Sequence, residues 1–447
     1  MKRTPMRHGA ATLAVALLAL SACGRDADTK STDTGDDGDT TSTESGGGFI
    51  DPAQDCSDYD GTAGITGDTI KIGTVRPASG PYAIYDTVTK GLEALVTATN
   101  SKGGVKAGDG KTYKLELVKG DDGYDPARTP AEVERLVDQE KVFAIVGEIG
   151  TSNNLAVRQT LNDKCIPSIG LATGSTEWGK AKEYPWFIGG LPSYATEAHH
   201  LMEWLKKEKP AAKIALLYQD DDFGKAYQAS IETSIEGSDI TVVAEESFNP
   251  LTETSPESKV AALSASGADV FFVGIGGSPC PAAVKAVPAN WTPLTLVSVT
   301  CTGKLAMALA GGKDEGLVAV QATYDPGTAA DQSNPKIKAF FDEGGAAGLS
   351  QGDLEGGIAA AGWGFGSMFV KGLELTDTVD RASLMNALWQ LDGVNYGLML
   401  DDAKASTKGG DDPWVIEDLR IVKRQAGSWN EIAPLTSYDG TSNDFAG

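Results

Sequence analysis

The alternation of short apolar runs with longer amphipathic stretches constrains the fold of this chain more than any other feature does. Between the runs lie stretches such as 130–140, in which Val133, Leu136 and Val137 recur at helical spacing. Such alternation predicts right-handed crossovers and parallel sheets that helices cover on both faces. The predicted strands are 69–75, 113–118, 143–147, 166–172, 213–218, 239–246, 269–274, 294–299 and 316–322.

The strands fall into two runs that are separated near Pro192, which predicts an α/β fold with two Rossmann-like lobes. A chain of 447 residues is also long for one compact domain. Helix candidates at 353–374 and 381–391 and late strand-like stretches follow the second run, so we expect a hinge of several strands. The expected division is 66–190 with 326–412 for lobe 1, and 191–325 with 413–447 for lobe 2.

The amino terminus has the pattern of an export signal. A basic front with Lys2, Arg3 and Arg7 precedes an apolar run at 9–20. The run is shorter than the about 20 residues that a membrane-spanning helix needs. "LSAC" then resembles the lipobox of bacterial lipoproteins, which implies a signal peptide at 1–22 and lipidation of Cys23. An ordinary secretory signal with a chance cysteine is the alternative.

After Cys23 the composition changes to Asp, Thr, Ser and Gly, and Ala27 is the sole apolar side chain of residues 24–48. A segment this polar cannot offset its ordering entropy, so we predict a disordered acidic tether over 23–50. The body is then expected on the extracytoplasmic face of a membrane, to which its lipid anchors it. We expect it to be a monomer. The formal net charge of -24 argues against a nucleic-acid partner.

Four cysteines remain after Cys23, an even number that favours disulfides in an oxidising compartment. Four cysteines allow three pairings. We predict Cys56–Cys165, because each precedes a strand of the first lobe, and Cys280–Cys301, because each follows a strand of the second. Metal binding is the alternative, although no CxxC spacing occurs, and no cofactor is expected.

The loops after the third and fourth strands carry hydroxyl groups where helices begin. "GEIGTSNN" contains Thr151 and Ser152, and "GLATGSTEW" contains Thr173 and Ser175. Ligands of open parallel sheets bind at the carboxyl ends of the strands, and free amides at a helix start favour anions. The two loops therefore predict a site for a carboxylate or other polar head. A plain helix cap is the alternative for each loop.

Several motifs occur in an order that is similar to one family. They are "IKIGTVRPASGPYAIYD", "LELVKGDDGYDPAR", "AIVGEIGTSNN", "IPSIGLATGS" and "IALLYQDDDFGKA". The series resembles the periplasmic branched-chain amino acid binding proteins, the receptor subunits of ABC importers, over roughly 65–400. This resemblance implies a type I binding-protein fold, a small-molecule solute between the lobes, and ABC permease subunits as partners.

The resemblance also implies ligand contacts on both sides of the cleft. Phe223 would close over the solute from the second lobe, and Tyr85 would lie at the rim of the cleft. Other contacts would come from the two hydroxyl-bearing loops and from the ends of second-lobe strands. The predicted set is Tyr85, Thr151, Ser152, Ala172, Thr173, Gly174, Ser175, Phe223, Gly274 and Thr300.

The sequence departs from the amino acid binders at three positions. Gly174 stands where they have a hydroxyl residue, Thr300 stands where an acidic residue holds the ammonium, and "GIGG" from Gly274 replaces an aromatic. A buried ammonium without an acceptor costs several kcal/mol. We therefore predict a non-cationic or weakly cationic solute, with Ser175 as a substitute hydroxyl.

Two alternatives to an importer receptor remain. The same lobes would suit a receptor that reports its ligand to a membrane signalling partner. A hydrolase that uses Ser152 or Ser175 would need a base within hydrogen-bond reach. The two histidines of the body, His199 and His200, are predicted on the surface of a helix, so we predict that the protein is not an enzyme.

Overall fold

Two seven-stranded sheets carry the fold over the described residues, which are 48–56 and 59–445 of a computed structural model. The predictions for the signal peptide, Cys23 and the tether up to residue 47 lie outside these ranges. The strands are β1 Ile65–Thr66, β2 Thr69–Arg76, β3 Val105–Lys106, β4 Thr112–Asp121, β5 Ala144–Val146, β6 Ser168–Leu171, β7 Phe187–Gly189, β8 Lys213–Gln219, β9 Thr241–Phe248, β10 Val270–Gly274, β11 Leu294–Val297, β12 Val318–Gln321, β13 Asp418–Gln425 and β14 Ser428–Ser437.

The two sheets share one strand order. The first runs β3-β4-β2-β5-β6-β7, with β1 beside β2, and the second runs β14-β13-β12-β11-β10-β8-β9. In each, five parallel strands follow the order 2-1-3-4-5 when counted along the chain. This order places a switch point, where ligands bind, between β2 and β5 and between β8 and β10. We call the bodies built on these sheets the first lobe and the second lobe.

Helices cover the sheets, as the alternating pattern predicts. In the first lobe, α12 packs against α2 and β6; in the second, α5 packs against α6 and β13. The helices are α1 Pro52–Asp55, α2 Asp86–Ser101, α3 Thr129–Glu134, α4 Thr151–Asp163, α5 Tyr194–Glu208, α6 Asp222–Ile235, α7 Glu257–Ser264, α8 Pro279–Ala286, α9 Lys304–Met307, α10 Pro335–Ala346, α11 Gln351–Glu355, α12 Ile358–Leu375 and α13 Arg381–Leu388.

The chain passes between the lobes three times within the described residues. The passages follow β7, follow β12 and precede β13, because α10 to α13 pack with the first lobe while β13 returns to the second sheet. Lobes joined in this way can hinge but cannot separate. In the same ranges, no helix combines the length and the apolar character that crossing a bilayer requires.

Two disulfides lie at different places in the fold. Cys56–Cys165 joins the segment before β1 to the turn after α4, with Cα atoms 6.1 Å apart. Cys280–Cys301 joins α8 to the loop after β11, with Cα atoms 6.2 Å apart. Both separations are within the usual range for a bridge, and these are the two pairs that the sequence predicts.

Some elements differ from the predictions. The helix expected over 353–374 is two helices, because the chain turns at Gly357, whose φ of +82° suits glycine. His200 is buried, not exposed, because its ring packs against Tyr438. Ile50, inside the predicted tether, is also buried, and its N–H donates to Asn386 Oδ1 at 2.8 Å.

Candidate ligand-binding site

A cavity of about 200 Å³ lies between loops that leave the two sheets. Clefts for drug-sized ligands usually have about 300–1,000 Å³, so this cavity suits a small solute. Both switch points contribute, because loops after β2, β5 and β6 line one side and loops after β8, β10 and β11 line the other. Their lining residues include Tyr85, Thr151, Ala172, Thr173, Phe223, Gly276 and Thr300.

The polar part of the wall is the amino end of α4. Thr151 Oγ1 and Thr173 Oγ1 share a hydrogen bond of 2.6 Å, and both residues are buried. Gly150, with φ +106°, is the residue before α4. It has no side chain that could accept hydrogen bonds from the first N–H groups of the helix. Free N–H groups and the helix dipole together favour a negative or strongly polar ligand group.

Tyr85 connects the two lobes at the cavity wall. Its hydroxyl donates to the carbonyl oxygen of Thr300 at 3.0 Å and accepts from the N–H of Gly277 at 2.7 Å. Burial raises the pKa of the phenol, which therefore stays neutral. A cavity residue of the first lobe is thus already paired with two backbone groups of the second.

Two further hydrogen bonds join the lobes beside the cavity. Tyr82 stacks on Tyr124 at 4.0 Å between ring centroids, and the Tyr82 hydroxyl donates to Gln219 Oε1 of the second lobe. Ser152 Oγ donates to Asp222 Oδ2 at 2.7 Å. The structure therefore has the two lobes in contact around the site.

Phe223 reaches the cavity from the first turn of α6. Its ring is buried and meets Tyr194 edge-on at 5.2 Å between centroids. Asp221 caps the helix, because its Oδ1 accepts from the N–H groups of Phe223 and Gly224 at 3.1 and 3.2 Å. The cap and the neighbouring ring hold Phe223 in its position.

Six of the ten predicted site residues line the cavity, and four do not: Ser152, Gly174, Ser175 and Gly274. The Ser152 hydroxyl is bonded to Asp222. Ser175 Oγ accepts from the N–H of Glu177 and caps a short 3₁₀ helix, so this hydroxyl does not replace the one missing at Gly174.

The absent side chains at Gly174 and at "GIGG" have a steric cause. A Cβ on Gly174 would collide with the carbonyl oxygen of Pro192, where the chain first passes between the lobes. A Cβ on Gly276 would lie 3.0 Å from the Tyr85 hydroxyl. The first lobe's tyrosine therefore occupies space beside the second-lobe strand, and Gly276 lines the cavity where the prediction had Gly274.

Two buried carboxylates near the site, Asp325 and Glu197, already accept hydrogen bonds. Among the described residues that line the cavity, Asp325 is the charged one, and its oxygens accept from the Gly327 N–H at 3.0 Å and the Thr328 hydroxyl at 2.9 Å. Behind the wall, Glu197 accepts from the Val299 N–H at 2.9 Å and the Tyr227 hydroxyl at 2.6 Å. Burial raises the pKa of Glu197 to about 8.

The predictions missed the part of the wall that α12 and the passages between the lobes provide. Ile358, Ala361, Gly364 and Phe365 line it from α12. The run "GGIAAAGWGFGS" indicates a helix with many small residues, but nothing in it points to a ligand. The segments at 321–326 and 396–399 contribute through contacts that are remote in sequence.

Other reactive groups lie elsewhere. The His199 ring stacks on Phe445 at 3.8 Å, and His200 Nδ1 is 2.8 Å from the Tyr438 hydroxyl, so neither serves Ser152 or Ser175 as a base. Asp412, Glu417 and Asp439 have oxygens within 4.8 Å of one another. Glu417, however, already accepts the Gly440 N–H at 3.2 Å.

Two sheets of equal strand order, three passages between them and a cavity at their switch points define a cleft-type solute-binding protein of type I architecture. A family model described as periplasmic binding protein matches residues 69–426. The chain therefore belongs to the periplasmic binding protein family, which consists of solute receptors rather than enzymes.

Individual proteins agree with this assignment. A Leu/Ile/Val-binding protein homolog 7 of Brucella abortus (strain 2308) is 29% identical over 216 residues, 45% of this chain and 51% of that protein. The chain thus spans about half the length of this curated relative. A branched-chain amino acid ABC transporter structure from Thermus thermophilus with bound valine has TM-score 0.73 and 17% identity, covering 83% and 96% of the two chains.

A solute-binding protein from R. palustris in complex with 4-hydroxybenzoate is similar in the same way. It has TM-score 0.69 and 21% identity, and the match covers 84% of this chain and 98% of that one. At such identities these two structures establish the fold.

Proposed function

We propose that this protein is a lipid-anchored, extracytoplasmic receptor that delivers a small carboxylate, amide or amino-acid-like solute to an ABC permease. The cavity between the two lobes carries the proposal, because a solute there would touch both lobes at once. Such a solute binds the closed arrangement better than an open one and so favours closure. The closed receptor is then what the permease recognises.

The division into lobes follows the passages of the chain. We assign 66–190 with 326–412 to lobe 1 and 191–325 with 413–447 to lobe 2. In this division all three passages line the cavity, through 190–192, 321–326 and residues such as Ile416. A solute would therefore contact the hinge as well as both lobes.

The polar head of the solute is expected at Thr151 and Thr173, and its apolar part against Tyr85 and Phe223. The valine and 4-hydroxybenzoate complexes of the similar proteins support a small carboxylate. Native mass spectrometry of the purified protein would identify the co-purified solute. Calorimetry should then give about fivefold weaker binding for Thr151→Ala, since a lost hydrogen bond costs about 1 kcal/mol.

Thr160→Ala is the matched control, because Thr160 lies on the exposed side of the same helix. We expect its affinity to equal that of the unchanged protein. Equal loss in both variants, or no solute bound by the unchanged protein, would rule out the receptor function at this site.

The anchor is proposed from "LSAC" and the polar stretch that follows it. Cys23→Ala should abolish labelling by a fatty-acid probe and prevent normal processing or membrane retention. Ser21→Ala, which keeps the cysteine, should be labelled as before. Normal processing and membrane retention of Cys23→Ala would contradict the anchor and leave the solute site unaffected.

A further inference from the structure

The wall that α12 contributes differs in chemistry from the loops that carry Thr151 and Thr173. It is built from apolar and small side chains, among them Ile358, Ala361 and Phe365. We propose that the solute is a small amphiphilic monocarboxylate without an amino group, and that Gly364 on α12 sets the size of its apolar body. This inference rests on the proposed receptor function and names the class of its solute.

The positions of the nearby carboxylates argue against an amino group, because Glu148, whose oxygens lack a partner, does not line the cavity and the others already accept hydrogen bonds. Asp325 accepts from the Gly327 N–H and the Thr328 hydroxyl, and Glu197 accepts from the Val299 N–H and the Tyr227 hydroxyl. The Thr300 hydroxyl is 2.6 Å from Ser298 Oγ, and the Thr300 carbonyl accepts from Tyr85. The carboxylate that an ammonium could meet in the described wall is that of Asp325, which already accepts two hydrogen bonds, so the loss of hydration would be poorly compensated.

A carboxylate head has better partners. The buried hydroxyls of Thr151 and Thr173 lie side by side where α4 begins, and Gly150 leaves that end without a side-chain cap. One hydroxyl hydrogen of this pair is free to donate, because the 2.6 Å bond between the two oxygens uses only one of the two hydrogens. The hydroxyl and the helix N–H groups can therefore share one negative head.

Gly364 lies in the interior of α12, where glycine is less favourable than alanine. Packing does not require it, since a Cβ on Gly364 would meet no atom within 4 Å. The contrast is Gly190, another lining residue, where a Cβ would lie 2.6 Å from Phe365. The open space at Gly364 belongs to the cavity wall, and an apolar group of the solute can occupy it.

The test uses matched pairs and a graded series on the purified full chain, freed of co-purified solute. Calorimetry should show hexanoate binding at least 100-fold more tightly than norleucine, which differs only by its amino group, and 3-phenylpropanoate binding similarly more tightly than phenylalanine. From propanoate upward, affinity should rise by about fourfold per methylene until the cavity is full.

Gly364→Leu should shorten the longest chain that binds and weaken octanoate and 3-phenylpropanoate by at least tenfold, with propanoate changed less than threefold. Gly364→Ala, the control, should fold at least as stably and keep most of the affinity. Equal loss for every chain length in Gly364→Leu would overturn the role of this residue.

Three other results distinguish a failure of this inference from a failure of the proposed receptor function. Norleucine binding as tightly as hexanoate, or a co-purified solute with an amino group, would overturn the solute class and leave the receptor intact. Tight binding of hexanamide in place of hexanoate would overturn the carboxylate head alone. Failure to bind any probe, with no co-purified solute, would overturn the receptor function itself.

Discussion

The two lobes repeat one strand order, yet the helices that meet at the cavity begin in opposite ways. In the first lobe, α4 follows Gly150 and has no side-chain cap. In the second, α6 follows Asp221, whose carboxylate accepts from the first N–H groups of the helix. The two lobes have equal topology, yet the amino end of α4 has no side-chain cap and the amino end of α6 is capped by Asp221.

The difference assigns separate tasks to the lobes. An open helix end can accept the polar head of a solute, whereas a capped end holds an aromatic ring, Phe223, over the cavity. Ser152 and Asp222 join the two helix ends by a hydrogen bond of 2.7 Å, so the polar end of α4 and the Phe223 ring meet at one cavity. Substitutions in each lobe should therefore have different consequences.

The largest difference is expected between the disulfides. Cys56–Cys165 closes a loop of 109 residues in the first lobe, and Cys280–Cys301 closes one of 21 in the second. Loop entropy gives the bridges about 5 and about 3 kcal/mol of the free energy of unfolding. Denaturant unfolding of the two paired Cys→Ser variants should preserve this order, and the reverse order would show that strain or unfolded-state structure decides.

Each lobe also buries a glutamate, with different partners. Glu197 has two hydrogen bonds and a pKa raised to about 8 by burial, while both carboxylate oxygens of Glu148 lack a partner and burial raises its pKa well above the usual value. The unfolded chain loses these protons near pH 4.5, but the folded protein keeps them. The free energy of unfolding should therefore fall as pH rises from about 4.5.

Glu197→Gln should remove the part of this fall that ends near pH 8, a change of a few kcal/mol between the two pH values. Glu148→Gln should remove a further part of this fall, because burial raises the pKa of Glu148 well above its usual value. Unfolding curves at pH 5, 7 and 9 check both. Glu417, whose pKa burial also raises to about 8, leaves some slope in each variant; an unchanged slope in both would contradict the expectation.

Phe223→Ala should weaken solute binding by more than tenfold, and so by more than Thr151→Ala, because it removes an aromatic contact from the cavity wall. Phe272→Ala is the control, since Phe272 is equally buried in the second lobe but does not line the cavity. Calorimetry with the co-purified solute measures both. Similar affinities for the two variants would mean that Phe223 acts through lobe stability alone.

The smallest expected effect concerns the capped helix. Asp221→Ala should lower the free energy of unfolding by about 1 kcal/mol, as loss of a helix cap usually does. Asp380→Ala, which removes the cap of α13 away from the cavity, should cost a similar amount. A large gain in affinity for anions in Asp221→Ala alone would show that the second lobe can also take the polar head.

The sequence predicted best what depends on local pattern. The run "DVFFVG" became β10 because a central parallel strand is buried on both faces and so is apolar throughout. The hydroxyls Thr151 and Thr173 follow strands, and strand ends meet at one edge of a sheet. The apolar strand residues and the two hydroxyl residues could therefore be predicted without knowledge of remote contacts.

What the sequence could not predict depends on parts of the chain that are distant from one another. Gly174 lacks a side chain because the Pro192 carbonyl passes beside it, and Ser175 is used as a cap. The three-residue strand β7 is too short to have a pattern of its own. The space at Gly364 exists only because α12 borders the passages between the lobes, which no local rule describes.

The second-lobe disulfide has one more consequence. Cys301 lies between Thr300 and Thr302, and both of these neighbours line the cavity. The bridge Cys56–Cys165 instead joins the segment before β1 to the turn after α4. Thiol reductants would therefore loosen the solute site by reducing Cys280–Cys301, and would release the segment before β1 by reducing Cys56–Cys165. Protein made in a glutathione-rich cytosol should bind more weakly than secreted protein, even when it is recovered fully folded.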